Sequence, residues 1–314
     1  MTLPDGLADR LAPRGVSGLR PLAGGASSLT FAGDLDGRRV VVKVAPPGVP
    51  PTAHRDVIRQ ARIISALGPT AVPVPEVLLQ DAGDPPAVPP LFVMTRLAGD
   101  SFEPLFDPPG EAANPVVAQR FRHATDVLAT LHRLTPADIG AHGEPVVGAA
   151  AEIDRWCATL QTVDRSLAPD WPDTADALRA GLPAPMGPSI VHGDFRLGNL
   201  LAVDGSVTGV IDWEIWSVGD PRIDLGWFLV NADPATYSRR SPHAGAVPPR
   251  DELLERYGAV SDAAWFMALA CFKSAATWGL IVKHNRRRTS PRPELEAMAP
   301  VLPGLLARAR ALLA

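Results

Sequence analysis

Asp194, Asn199 and Asp212 are the side chains whose types and spacing could do chemistry together. Asp194 closes His192–Gly193–Asp194 after a short apolar run at 189–191. Asn199 stands five residues on, and Asp212 ends the next predicted hairpin. The trio suits phosphoryl transfer. Such chemistry needs a carboxylate to orient an attacking hydroxyl and take its proton, and a few hard oxygen ligands to hold Mg²⁺ against phosphates. Asp194 has the residue type for the first task, Asn199 and Asp212 for the second. Arg196 could neutralise charge on the transferring group. Glu214 shares a face with Asp212 if that stretch is a strand, where it either joins a second metal or faces solvent. Other readings stay open: His192 and Asp194 could ligate the metal of a hydrolase, or could be a structural histidine and a turn former before Gly198.

These groups need rigid supports. Residues 200–203, the turn Asp204–Gly205 and 207–211 read as a β-hairpin that delivers Asp212. Asp220–Pro221 starts a helix with Asp224 in its first turn, a favourable place for an acidic residue. Upstream, 19–22, 29–31 and 40–44 read as strands around an Asp36–Gly37 turn signal and a small-residue loop at 23–28. Gly25, Ser27 and Ser28 of that loop would let backbone N–H groups approach phosphates, although the loop also reads as a plain turn. Lys43 alone reads as an edge-strand gatekeeper, with Val41 on its face. Residues 54–67 form a helix striped by Val57, Ala61, Ile64 and Leu67. Residues 72–80 are extended and 91–96 form a strand. Helices are predicted over 116–134, 149–160, 174–182 and 261–284, and Trp265, Phe266, Phe272 and Trp278 of the last read as core. Residues 231–250 read as a polar loop. The fold class is therefore α+β, a small N-terminal antiparallel sheet with one helix (1–97) followed by a large, mainly helical part (98–314).

Residues 192–199 (HGDFRLGN), 211–214 (IDWE) and 219–227 (GDPRIDLGW) together resemble the aminoglycoside phosphotransferase (APH)-like, choline-kinase-like family of small-molecule kinases. They are similar to its branch that also occurs fused to acyl-CoA dehydrogenases. The resemblance implies a protein-kinase-like bilobal fold and transfer of a phosphoryl group from ATP, with Mg²⁺, to a small-molecule hydroxyl. It makes Asp194 the base, Asn199 and Asp212 the metal ligands and Lys43 the lysine that pairs with nucleotide phosphates. Asp212 stands where protein kinases have the Asp of D-F-G. The strand at 92–97 becomes a hinge whose backbone, at Met94, Thr95 and Arg96, bonds the adenine edge. Asp224, with His192, supports the catalytic loop from behind. One position departs from the pattern: Gln60 stands where the related helix carries a glutamate. Gln60 could bond Lys43 without charge, and Asp56, one turn earlier, could substitute. The departure is the ground for a second reading, a nucleotide-binding, kinase-like protein with little catalysis. Only eight positions separate Asp212 from Asp220, and there is no Ala-Pro-Glu, which disfavours a protein substrate.

The chain has 314 residues, 46% apolar and 20% charged, with net charge −4. That is room for a substantial core, without the basic footprint of a nucleic-acid binder. Cys157 and Cys271 lie in predicted helices and read as buried thiols of a reducing compartment. Residues 1–14 are polar and Pro-broken, unlike a signal peptide. No apolar run is expected to approach the roughly 18 residues of a membrane span. The expectation is a cytoplasmic protein whose partner is a small-molecule hydroxyl acceptor, with neither nucleic acid nor membrane. Lys283, Arg286, Arg287 and Arg288 cluster at the end of the long helix. They complement its dipole or, facing the acceptor, favour a neutral or anionic compound over a polycationic aminoglycoside.

Overall fold

Val40, Val42 and Val44 alternate with Val41 and Lys43, and that alternation gives the first sheet one face for a core and one for chemistry. The computed structural model describes residues 3–22, 28–105, 114–237 and 241–314. The chain forms two compact units, Met1–Ser101 with Asn199–Trp216, and Phe102–Gly198 with Ser217–Ala314. The boundary drawn from sequence at 97/98 keeps each part continuous, whereas the first unit also takes in the hairpin after Gly198.

The first unit opens with helix α1 (Leu7–Leu11) and strands β1 (Val16–Pro21), β2 (Leu29–Leu35) and β3 (Arg38–Val44). Helix α2 (Val57–Leu67), β4 (Val77–Asp81) and β5 (Leu91–Thr95) follow. The strands pair antiparallel in the order β1-β2-β3-β5-β4. Leu7, Leu11, Val16, Phe31, Val40, Val42, Val44, Leu91 and Val93 form the core on one face. On the other, register sets Ala32, Val41 and Met94 beside Lys43. Asp36 (φ 50°) and Gly37 (φ 84°) make the tight β2–β3 turn, as the Asp-Gly signal predicts. Helix α2 begins three residues later than expected. Asp56 is its N-cap, its carboxylate accepting the Arg59 amide at 2.9 Å. That role removes Asp56 as a substitute partner for Lys43.

The second unit contributes α3 (Asn114–His132), β6 (Val146–Val147), α4 (Ala149–Leu160), α5 (Trp171–Ala180) and β7 (Ser189–Val191). The chain then enters the first unit for the hairpin β8 (Leu200–Val203) and β9 (Ser206–Val210). It returns as β10 (Ser217–Gly219), α6 (Arg222–Ala232), α7 (Arg250–Tyr257), α8 (Ala263–Arg286), α9 (Pro293–Glu296) and α10 (Leu302–Leu313). Strand β10 pairs with β7 antiparallel and with β6 parallel. Helix α8 is the axis of this unit, packed against α4, α6 and α10. Its length and composition would suffice to cross a membrane, contrary to the sequence expectation. Its most apolar window is 78% buried inside the protein, and a helix apolar all round is a core helix when surrounded by others. Trp265, Phe266 and Phe272 lie in that core, and Trp278 is only half-buried. Cys157 and Cys271 are free and buried, and burial pushes the Cys271 thiol up to about 12.

Candidate active site

The first unit gathers Lys43, Gln60 and Asp212. The Lys43 ammonium, on β3, donates to Gln60 Oε1 at 3.1 Å and to Asp212 Oδ1 at 3.0 Å, and the residue is 8% exposed. It therefore faces the chemistry-bearing side of the sheet and is no edge gatekeeper. The Gln60 amide is fixed at its other end, donating to the His54 carbonyl at 3.3 Å. A neutral amide thus makes the lysine anchor expected of a glutamate. Asp212 lies beyond β9 with φ 67°, a left-handed conformation uncommon outside glycine but tolerated by Asp. Residues 211–213 are irregular and Glu214 is in a turn, so the strand alternation that put Glu214 on the Asp212 face does not hold. The Ile211 amide donates to the Asn199 carbonyl at 3.0 Å, which keeps Asn199 beside the Asp212 segment. Among the described residues no three His, Cys, Asp or Glu side chains form a ready metal site. One amide and one carboxylate nevertheless suit Mg²⁺, which draws its remaining ligands from phosphates and water.

A nucleotide phosphate also fits what surrounds Lys43. Ser28 Oγ, at the end of the predicted phosphate loop, is buried with no hydrogen-bond partner among the described residues, and Gly25 and Ser27 lie outside them. Ala32, Val41 and Met94 supply apolar surface on the same face. The hinge expectation needs one correction. The Thr95 amide donates to the Glu76 carbonyl at 2.9 Å and the Arg96 amide to the Arg39 carbonyl at 3.1 Å. Both amides are therefore already bonded within the first unit, and neither is open to a base.

The second unit holds the loop after β7. The buried carboxylate of Asp224, in the first turn of α6, accepts the His192 amide at 2.5 Å and the Gly193 amide at 2.8 Å. His132 of α3 adds a contact to Asp224 at 3.4 Å and bonds the Tyr257 hydroxyl at 2.8 Å through its other ring nitrogen. Burial raises the Asp224 pKa, yet the bonds and charge of His132 and His192 outweigh it and hold the carboxyl below the usual range. His192 is fully buried, its Nδ1 accepting the Asp194 amide at 3.2 Å; that bond fixes the loop and is inconsistent with a metal ligand at Nδ1. Asp194 Oδ1 takes the Trp227 indole N–H at 2.8 Å and lies 3.3 Å from Arg196 Nε. Arg196 also reaches Glu103 at 3.4 Å, and the same buried Glu103 oxygen accepts the Gly198 amide at 2.9 Å.

His132, Glu103, Trp227 and Lys273 escaped the sequence reading. Trp227 sat in view within GDPRIDLGW. Lys273 is the single charge in residues 263–282, and a lone charge in a long apolar run is a signal that was there to be read. Glu103 and His132 are surrounded by no motif. The basic cluster is elsewhere. Arg286 is paired with Glu296 at 2.6 Å and lies thirteen positions beyond Lys273, about 20 Å along the helix.

A model of the APH family, described as a phosphotransferase enzyme family, matches residues 18–268. Acyl-CoA dehydrogenase family member 11 of Homo sapiens is 26% identical over 279 residues, covering 80% of this chain and 34% of that protein. Member 10 of Mus musculus is 26% identical over 271 residues, 80% of this chain and 25% of its own length. The chain thus spans about a quarter to a third of these relatives. Hygromycin-B 4-O-kinase of Escherichia coli is 25% identical over 270 residues, 77% of this chain and 73% of the enzyme. Among solved structures, a candidate aminoglycoside phosphotransferase of Ralstonia eutropha gives a TM-score of 0.78 at 19% identity, over 98% of this chain and 97% of that one. A thermostable mutant of APH(4)-Ia, in ternary complex with AMP-PNP and hygromycin B, gives 0.65 at 18% identity, over 96% and 98%. These structural likenesses are of fold.

Proposed function

The chain belongs to the APH phosphotransferase enzyme family, and from that premise we propose that it moves the γ-phosphoryl group of ATP to a hydroxyl of a small molecule. The observation that carries the reading is Asp194. Its carboxylate is aimed by Trp227 and Arg196, on a loop whose backbone Asp224 grips. In this reading Asp194 orients the acceptor hydroxyl and takes its proton as the oxygen attacks phosphorus. Arg196, tied to Glu103, sits next to Asp194 to meet negative charge on the transferring group. Lys43 holds nucleotide phosphate, with Ser28 and the loop before it as further donors, and Gln60 keeps the ammonium in place. Asn199 and Asp212 hold Mg²⁺, with Glu214 as an additional carboxylate nearby in sequence. Bound there, the metal would neutralise charge on the phosphate oxygens.

The binding-only alternative rests on Gln60; the bond from Lys43 to Gln60 supports a formed lysine anchor, and turnover is what separates the two readings. The case for a neutral or anionic acceptor rested on 283–288. Arg286 of that cluster is paired with Glu296, which weakens the charge argument by one of its four cations. The test is therefore ATP consumption by the purified chain against aminoglycosides, macrolides, cholines, sugars and hydroxyacyl compounds. Asp194→Asn should bind ATP within about twofold of the parent and lose roughly 10²–10⁴-fold in transfer. A variant that transfers as fast as the parent removes Asp194 from the reaction.

A further inference from the structure

The chain has three lysines, Lys43, Lys273 and Lys283, among 30 basic side chains. Lys273 lies in the middle of α8, buried on every side. Its ammonium donates to the Gly193 carbonyl and stands over the Trp227 ring, 4.0 Å from the centroid, with Trp156 on α4 at 5.6 Å. Trp227 is the side chain that donates to Asp194, and Trp156 donates to Glu152 at 2.9 Å. The Gly193–Asp194 peptide is thus held at both ends: Lys273 takes its carbonyl, and His192 Nδ1 takes its N–H.

Burying an ammonium is unfavourable, and an apolar side chain of like volume would fill this core at least as well. Such a charge points to a use. We propose that Lys273 is a positioning residue for the proposed phosphoryl transfer: it locks the Gly193–Asp194 peptide and places a compact cation behind the Asp194 carboxylate. The inference rests on the functional reading above only for what Asp194 does. The charged groups around the ammonium are Asp194 on the loop, Asp224 on α6, and Glu152 and Arg155 on α4. Burial lowers the Lys273 pKa, the three carboxylates pull it back up, and Arg155 lowers it further.

The test reads Lys273 directly. Nitrogen-15 lysine labelling gives three side-chain signals, and K273M identifies the buried one. In D194N the burial penalty stays while one facing charge is lost, so the Lys273 titration moves to lower pH than in the parent. If K273M does not fold, the lysine that D194N shifts is identified instead by replacing Lys43 and Lys283 with arginine in turn. A Lys273 titration unmoved by D194N overturns the proposal. In a folded K273M, ATP affinity stays at the parent's value while turnover drops roughly 10-fold or more. The alkaline fall in kcat that follows Lys273 deprotonation disappears as well. A K273M enzyme with the parent's kcat and pH profile also overturns it. The titration needs neither acceptor nor turnover. A chain that transfers no phosphoryl group therefore sinks the proposed function, while D194N still tests whether Lys273 stands behind Asp194.

Discussion

Gln60 shows how much one side chain's type can mislead when its geometry is hidden. In sequence it is a missing charge; in the structure its oxygen meets the Lys43 ammonium at 3.1 Å while its nitrogen is tied to the His54 carbonyl. An oriented amide dipole needs no ionisation to hold a cation, and the Asp212 carboxylate 3.0 Å away already supplies the charge. The prediction is that Gln60→Leu, which fills the same space without the oxygen, leaves Lys43 held by Asp212 alone. ATP affinity by titration calorimetry should weaken about tenfold, the effect of losing one hydrogen bond to a charged group. An unchanged Kd would mean that Asp212 suffices. Asp194, Asn199 and Asp212 were legible as candidates because each belongs to a short motif, whereas Lys43 became a candidate only through the family resemblance. Glu103 and His132 were not legible, since they meet the loop only through long-range folding.

At the scale of elements, periodicity found most strands and the helices α2 to α6 and α8, but not α1, α7, α9, α10, β6 or β10. Helix α2 starts late because Asp56 caps it, and residues 211–214 are irregular because Asp212 turns left-handed. Helices α6 and α8 were harder to characterise because both are largely apolar on every face, so neither shows an apolar stripe to read. Their crossing depends on Gly226, in the stretch that carries Asp224 and Trp227. A Cβ on Gly226 would overlap the Phe266 carbonyl of α8. No flexible side chain can swing aside there, because the clash is with backbone. Gly226→Ala should therefore force the helices apart and lower stability by about 1–3 kcal/mol, as overpacked cores do. The denaturant midpoint measures this. The same variant should slow transfer, since Trp227 and Lys273 reach the loop from these two helices; a variant as stable as the parent would show that the crossing adjusts freely.

For the molecule as a whole, the loop support is also a pH-dependent part of stability. Asp224 is fully buried and Asp220 is paired with buried Arg222 at 2.7 Å. Burial acts to raise both pKa values, but the hydrogen bonds and positive partners prevail and both lie below their ordinary value of 3.8. A carboxyl depressed in the folded state binds fewer protons there than in the unfolded chain. Its contribution is therefore fully present above the unfolded value and is lost as pH falls through the folded one. The parent's urea midpoint should hold near neutrality and decline below about pH 4–5. Tryptophan fluorescence suits the measurement, because Trp156, Trp171, Trp227, Trp265 and Trp278 all lie in the second unit with both carboxylates. Asp224→Asn keeps the shape but cannot accept both the His192 and Gly193 amides through charged oxygens. It should begin less stable at pH 7 and decline less steeply in acid. Equal acid slopes for parent and variant would assign the decline to other carboxylates and leave Asp224 holding the loop without its charge.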